Sequence, residues 1–149
     1  MPPHLVAIKK LKLLHSVSFD AKQQALVGSL LKLRHENICQ FKGLVLLSLR
    51  NVAFRISEYC SKGSLHDLLK TSLDLAFDMR LCLTKDLING MVYINKSPIG
   101  YHGRLSSKNC LIDGHFKLKI SDIETILTSV VIRNQFDICI VFNYFFQLI

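Results

Sequence analysis

Four positions carry side chains able to hold a charge, a proton or a metal in a spacing worth weighing. Lys9 closes the apolar triplet Val6-Ala7-Ile8, His102 and Asn109 lie seven residues apart, and Asp122 follows the alternating run Phe116 to Ile120. By type alone each has an ordinary role beside a chemical one. A lysine after an apolar triplet is commonly a strand end, and an aspartate after a strand commonly caps or turns the chain. Asparagine holds loops through side-chain hydrogen bonds, and a lone histidine is more often packed than catalytic. The other chemically capable residues are Cys39, Cys60, Cys82, Cys110 and Cys139, an odd number with wide and irregular gaps. No pair has the close spacing of a zinc knuckle or a redox dithiol. They read as reduced, mostly buried small hydrophobes of a cytosolic compartment.

Composition narrows the function classes. A chain of 149 residues that is 50% hydrophobic and 20% charged makes one domain with a real core and is not disordered. The formal charge of +8 suits an anionic partner in principle. The basic residues are scattered, however, and only Lys9, Lys10 and Lys12 stand together. A solvated basic surface is therefore favoured over a nucleic-acid site, for which no motif or aromatic-basic surface is present. Met1-Pro2-Pro3-His4 lacks the apolar core of a signal peptide. The apolar stretch Ile138 to Ile149, interrupted by Asn143 and Gln147, is too short to span a bilayer.

The elements that must position these residues read as follows. His4 to Lys10 is a short β-branched strand bounded by prolines. Phe19 to Leu33, with Leu26, Leu30 and Leu33 at helical spacing, is an amphipathic helix in which Gly28 costs about 1 kcal/mol relative to alanine. Leu44 to Leu49 and Val52 to Ser57 form an antiparallel hairpin around Arg50-Asn51. Ser64 caps a helix that Asp67 answers in a capping box. Met79 to Ile94 sets Leu83, Leu87, Met91 and Ile94 on one face of the strongest helix. Cys110 to Ile112 and Phe116 to Ile120 flank Asp113-Gly114 as a tight hairpin, with Phe116, Leu118 and Ile120 facing in. The class is α+β, a sheet-rich first part followed by a helical second part.

In this order the segments resemble the protein-kinase fold. Val6-Ala7-Ile8-Lys9 is similar to the kinase strand whose lysine pairs with nucleotide phosphates. Leu33-Arg34-His35-Glu36-Asn37-Ile38 sits where kinases turn from a helix into the next strand. Ile56-Ser57-Glu58-Tyr59-Cys60 followed by Gly63-Ser64-Leu65 resembles the hinge between the lobes. The resemblance makes Ser57 the gatekeeper and gives Glu58 and Cys60 the backbone groups that meet an adenine. His102 and Asn109 match the His and Asn of H-R-D-x-x-x-x-N, and Asp122 stands where D-F-G begins. These motifs run from Val6 to about Leu127, about four-fifths of the chain. Within the kinases, Tyr101-His102-Gly103-Arg104-Leu105 leading into Asn109-Cys110-Leu111-Ile112-Asp113-Gly114 is most similar to the kinase-homology domain of receptor guanylyl cyclases.

The departures bear on chemistry. The resemblance assigns Lys9 to phosphate, and Asn109 and Asp122 to Mg²⁺ beside ATP, with weak binding expected. Arg104 occupies the position of the catalytic base. A guanidinium cannot accept a proton at neutral pH, and losing a general base typically costs about 10²–10⁴-fold. Leu26 stands where the helix should supply the glutamate that orients Lys9, and Ile123-Glu124 replaces the Phe-Gly after Asp122. No G-x-G-x-x-G precedes Lys9 and no A-P-E follows.

Residues 4–127 are therefore expected to form a partial kinase-like domain and residues 128–149 an unmatched apolar, strand-like tail with an aggregation liability. The expected function is that of a regulatory pseudokinase fragment of a receptor guanylyl cyclase. The resemblance implies a longer parent, on the cytoplasmic side of the plasma membrane, with a membrane span, a cyclase domain and a homodimeric state. The alternative is a divergent, active serine/threonine or tyrosine kinase fragment, against which Arg104 and Leu26 both speak.

Overall fold

The computed structural model describes residues 5–12, 20–47, 52–71, 75–123 and 140–141. Strand β1 (Val6–Lys12) is central to the first part and pairs antiparallel with β3 (Val52–Glu58) in an unbroken register from Val6↔Glu58 to Lys12↔Val52. Pairing, not composition, sets its ends. It runs two residues beyond the expected Lys10, because Leu11 and Lys12 still find Ala53 and Val52 opposite. Strand β2 (Phe41–Leu47) forms the expected hairpin with β3, but begins three residues earlier than its apolar run. A bulge between Phe41 and Gly43 absorbs the polar Lys42 and lets pairing continue. Arg50-Asn51 lies outside the described residues. Two tail residues, β6 (Ile140–Val141), pair with Ile8 and Ala7, giving the sheet order β2-β3-β1-β6.

Helix α1 (Ala21–Lys32) starts one residue after Asp20, which accepts a hydrogen bond from Gln23 N while the Gln23 side chain accepts one from Asp20 N. This capping box fixes the start inside the expected span. Leu30 and Leu33 are buried and Leu26 packs beside them. Helix α2 (Leu65–Lys70) has the predicted Ser64/Asp67 capping box. Helix α3 (Phe77–Lys96) buries Leu83 and Ile94, with Leu87 and Met91 packed against the core.

Beneath α3 lies the hairpin of β4 (Cys110–Ile112) and β5 (Leu118–Ile120), whose Ile112, Leu118 and Ile120 are almost wholly buried. Its connection is longer than the expected tight turn. The Asp113 carboxylate accepts from His115 N and Lys117 N, and Asp113 N donates to Lys117 O. The left-handed residue is Phe116 (φ 61), not Gly114, so Phe116 leaves the strand and is exposed, with Lys62 Nζ 4.2 Å from its ring centroid. Its expected inward place is therefore corrected.

The joint between the two parts is segment 37–39. Ile120 N donates to Asn37 O, Cys39 N to Ile120 O, and the buried Asn37 Nδ2 to Leu118 O. Gly90 permits this approach, since a Cβ there would lie 2.8 Å from Asn37 O.

Candidate functional site

The register of β1 and β3 sets Lys9 directly opposite Arg55. Two like charges opposed across an antiparallel pair repel, and an anion between them offsets that repulsion. That anion is Asp122, just after β5. Its Oδ2 accepts from Lys9 Nζ at 2.7 Å, and its Oδ1 meets Arg55 Nη1 at 2.9 Å. Asp122 has φ 55, a left-handed conformation that aspartate tolerates better than bulky residues. Burial pushes the Asp122 carboxyl up, but the charges of Arg55 and Lys9 and the Lys9 hydrogen bond outweigh it and hold the group below its ordinary value. Arg55 is 9% exposed, with its guanidinium 5.5 Å from the Phe41 ring centroid. Its Nε is buried without a hydrogen-bond partner among the described residues.

Arg55 was not among the sequence candidates. The available signal was a lone cation in the apolar run Val52-Ala53-Phe54-Arg55-Ile56, on the same side of the strand as the buried Ala53. Leu26, by contrast, lies on α1 against the main core and brings no carboxylate toward Lys9.

The loop that carries Arg104 is held by the two residues matched to the kinase motif. His102 is 2% exposed; its Nδ1 accepts from Arg104 N at 3.1 Å. That bond leaves Nε2 as the ring donor, to Ser121 O at 2.8 Å. Asn109 Nδ2 donates to Arg104 O at 2.7 Å. Arg104 is thus clipped by its backbone on both sides while its side chain stands at the surface. Asn109 O accepts from Ser121 N and Ser121 Oγ, tying this loop to the residue before Asp122.

At the hinge, Ser57 pairs with Ala7 on one side and Phe41 on the other. Glu58 N donates to Gln40 O, and its carbonyl accepts a long contact from Cys39 Sγ at 3.4 Å. The Glu58 carboxylate binds Lys119 Nζ at 2.6 Å, a strut from hinge to β5. Cys60 is buried, and its hydrogen bond with Cys39, together with burial, holds its thiol above the usual thiol range. A thiol so held is unreactive. Cys39, Cys60, Cys82 and Cys110 are all free, with only Cys82 exposed; Cys139 lies outside the described residues.

The structure thus gathers Lys9 and Asp122 around the unanticipated Arg55, joins Asn109 to them through Ser121, and sets Ser57 and Glu58 further along the same strand as Arg55. An apolar hollow between α2 and α3, lined by Leu65, Leu69, Leu75, Leu83 and Leu87, includes none of these residues. Among the described residues no three His, Cys, Asp or Glu side chains converge as metal ligands, and no helix is long and apolar enough to cross a membrane.

Residues 2–134 match the family model of protein tyrosine and serine/threonine kinases. The chain is 37% identical over 128 residues to retinal guanylyl cyclase 1 of Mus musculus, covering 78% of this chain and 11% of that protein. It is 34% identical to guanylyl cyclase C of Mus musculus over 124 residues, 78% of this chain and 11% of the relative. With a receptor-type guanylate cyclase of Drosophila melanogaster it shares 34% identity over 120 residues, 79% of this chain and 8% of the relative. The chain therefore spans only about a tenth of the length of the curated relatives it matches.

Proposed function

Because this chain belongs to the protein tyrosine and serine/threonine kinase family, we propose that it is a regulatory pseudokinase segment of a receptor guanylyl cyclase. In that role it couples a receptor signal to cGMP synthesis without transferring phosphate itself. The observation that carries this reading is Arg104 at the base position, with its backbone pinned by His102 and Asn109. The loop is pinned, and no carboxylate at residue 104 is there to take a proton from an acceptor hydroxyl. Leu26 adds to the argument, since Lys9 bonds Asp122 rather than a glutamate on α1. The partners are the remaining parts of the parent receptor, a membrane span and a cyclase domain, in a homodimer whose kinase-like region faces the cytoplasm. Weak binding of ATP is part of the reading: Lys9 faces the phosphates, and Glu58 and Cys60 offer backbone groups to the base.

Labelled ATP with magnesium or manganese and generic acceptor proteins tests the inert half of the proposal. No incorporation is expected, and turnover that disappears in Asp122→Ala would overturn it. The regulatory half is tested by replacing the matching segment of a receptor guanylyl cyclase with this chain. Signal-dependent cGMP production should persist; a chimera with normal basal cyclase activity and no response counts against coupling.

A further inference from the structure

The family pattern would hold Mg²⁺ on Asp122 and Asn109, and the residues present do not fit that ion. Both Asp122 oxygens are already taken, Oδ2 by Lys9 and Oδ1 by Arg55. Mg²⁺ needs near-octahedral oxygen ligands at about 2.0–2.1 Å, usually with a carboxylate among them. Here an oxygen is freed only if Lys9 or Arg55 gives one up, and the Arg55 guanidinium on Oδ1 belongs to a side chain 10% exposed. A divalent cation would also sit beside two positive charges, whose repulsion grows in a poorly solvated site.

We infer that Arg55 takes the place of a divalent cation, so that this site excludes Mg²⁺ and holds a nucleoside polyphosphate without metal. The nucleotide clause rests on the ATP binding proposed above; the exclusion of metal does not. Among the described residues Lys9 and Arg55 share the one carboxylate of Asp122, and a pair of cations side by side suits a polyanion. Arg55 has donor capacity to spare: a guanidinium carries five N–H donors in a planar fork that matches phosphate oxygens. Its buried Nε has no partner among the described residues. An unused donor on the guanidinium that grips Asp122 is what a phosphate oxygen would complete. Lys9, opposite on β1, gives the second positive contact.

The experiment titrates the 149-residue chain with a fluorescent ATP analogue in excess Mg²⁺ and again in EDTA. In a separate arm Mn²⁺ alone is titrated and followed by electron paramagnetic resonance. Wild type should bind nucleotide equally well in both conditions and should bind no Mn²⁺. Arg55→Met and Arg55→Gln, which free Oδ1 of Asp122, should make nucleotide binding depend on Mg²⁺ by about tenfold or more, a difference of about 1.4 kcal/mol. They should also gain a Mn²⁺ site that Asp122→Asn removes. If Mg²⁺ raises wild-type nucleotide affinity by about tenfold, the inference falls while ATP binding stands. If wild type binds no nucleotide in either condition, the ATP reading and the polyphosphate clause fall together. The Mn²⁺ arm then decides the rest: wild-type Mn²⁺ binding abolished by Asp122→Asn overturns the exclusion of metal, and its absence upholds it. The wild-type arms settle the matter even where an Arg55 variant does not fold.

Discussion

A methyl group added at Gly28 in α1 would meet nothing within 4 Å, whereas one added at Gly90 in α3 would lie 2.8 Å from both Asn37 O and Ile120 Cδ1. Each glycine interrupts a helix, and only the second has a packing reason to do so. The contrast extends to the regions around them. Under α3 the helical part is close-packed: Ile94, Ile112, Leu118 and Ile120 fill the space there, and His102, Asn109 and Ser121 bond one another's loops. The sheet part has room beside α1 and a charged cluster on its face. The difference teaches where a kinase-like frame tolerates changed chemistry. Arg104 stands at the surface, where no core packing depends on its side chain, whereas Leu26 packs against the main core and offers no carboxylate to Lys9.

The largest effect expected from this comparison is at the packed end. Ile94→Ala removes a side chain with 0% exposure and should destabilise by about 2–5 kcal/mol in chemical denaturation. A loss no greater than that of an exposed leucine would break the contrast between the halves.

Next comes the charged cluster. Asp122→Ala leaves Lys9 and Arg55 facing each other without their anion, at a cost of about 1–3 kcal/mol. The figure is kept below that of a fully buried pair because the Asp122 side chain is 18% exposed. The pH dependence has a definite sign. The folded-state pKa of Asp122 lies below its ordinary value of 3.8, so its contribution is complete above that value and is lost as pH falls through the folded pKa. The stability gap between wild type and Asp122→Asn should therefore be widest near neutrality and close in acid. Denaturation midpoints across pH 3 to 7, roughly the window of carboxylate titration, check this. A gap that widens on acidification would remove the ion pairs from the account.

The glycines give the smaller and sharper pair. Gly90→Ala gains about 1 kcal/mol of helix propensity but forces overpacking worth about 1–3 kcal/mol, so a net loss is expected. Gly28→Ala has the gain without the clash and should stabilise by about 0.5–1 kcal/mol. Thermal midpoints of the two variants should move in opposite directions. Movement of both in one direction would show that the regions do not differ in packing as described.

Much of the frame was legible because it rests on local signals. The capping box of α2 and the buried face of α3 each follow from residues within a few positions of one another, whereas the Asp20/Gln23 box that starts α1 went unread. The turn after β4 departs from the two-residue hairpin that Asp113-Gly114 suggests, because the Asp113 side chain bonds His115 N and Lys117 N. That side-chain choice moved the left-handed position to Phe116 and turned its ring outward.

By itself the sequence determined the order of the kinase-like segments, the arginine at residue 104 and the leucine at residue 26, since these depend on which residue stands at which place in the chain. Tertiary structure alone decided that Lys9 faces Arg55 and that Asp122 lies between them. Lys9 and Asp122 are 113 positions apart, so no periodicity or spacing relates them. Their meeting follows from the pairing of β1 with β3 and from the joint at segment 37–39, which fixes β5 against the rest of the fold. Long-range register is set by the pairing of whole strands, and it made Arg55, a lone cation in an apolar run, the second cation of the site.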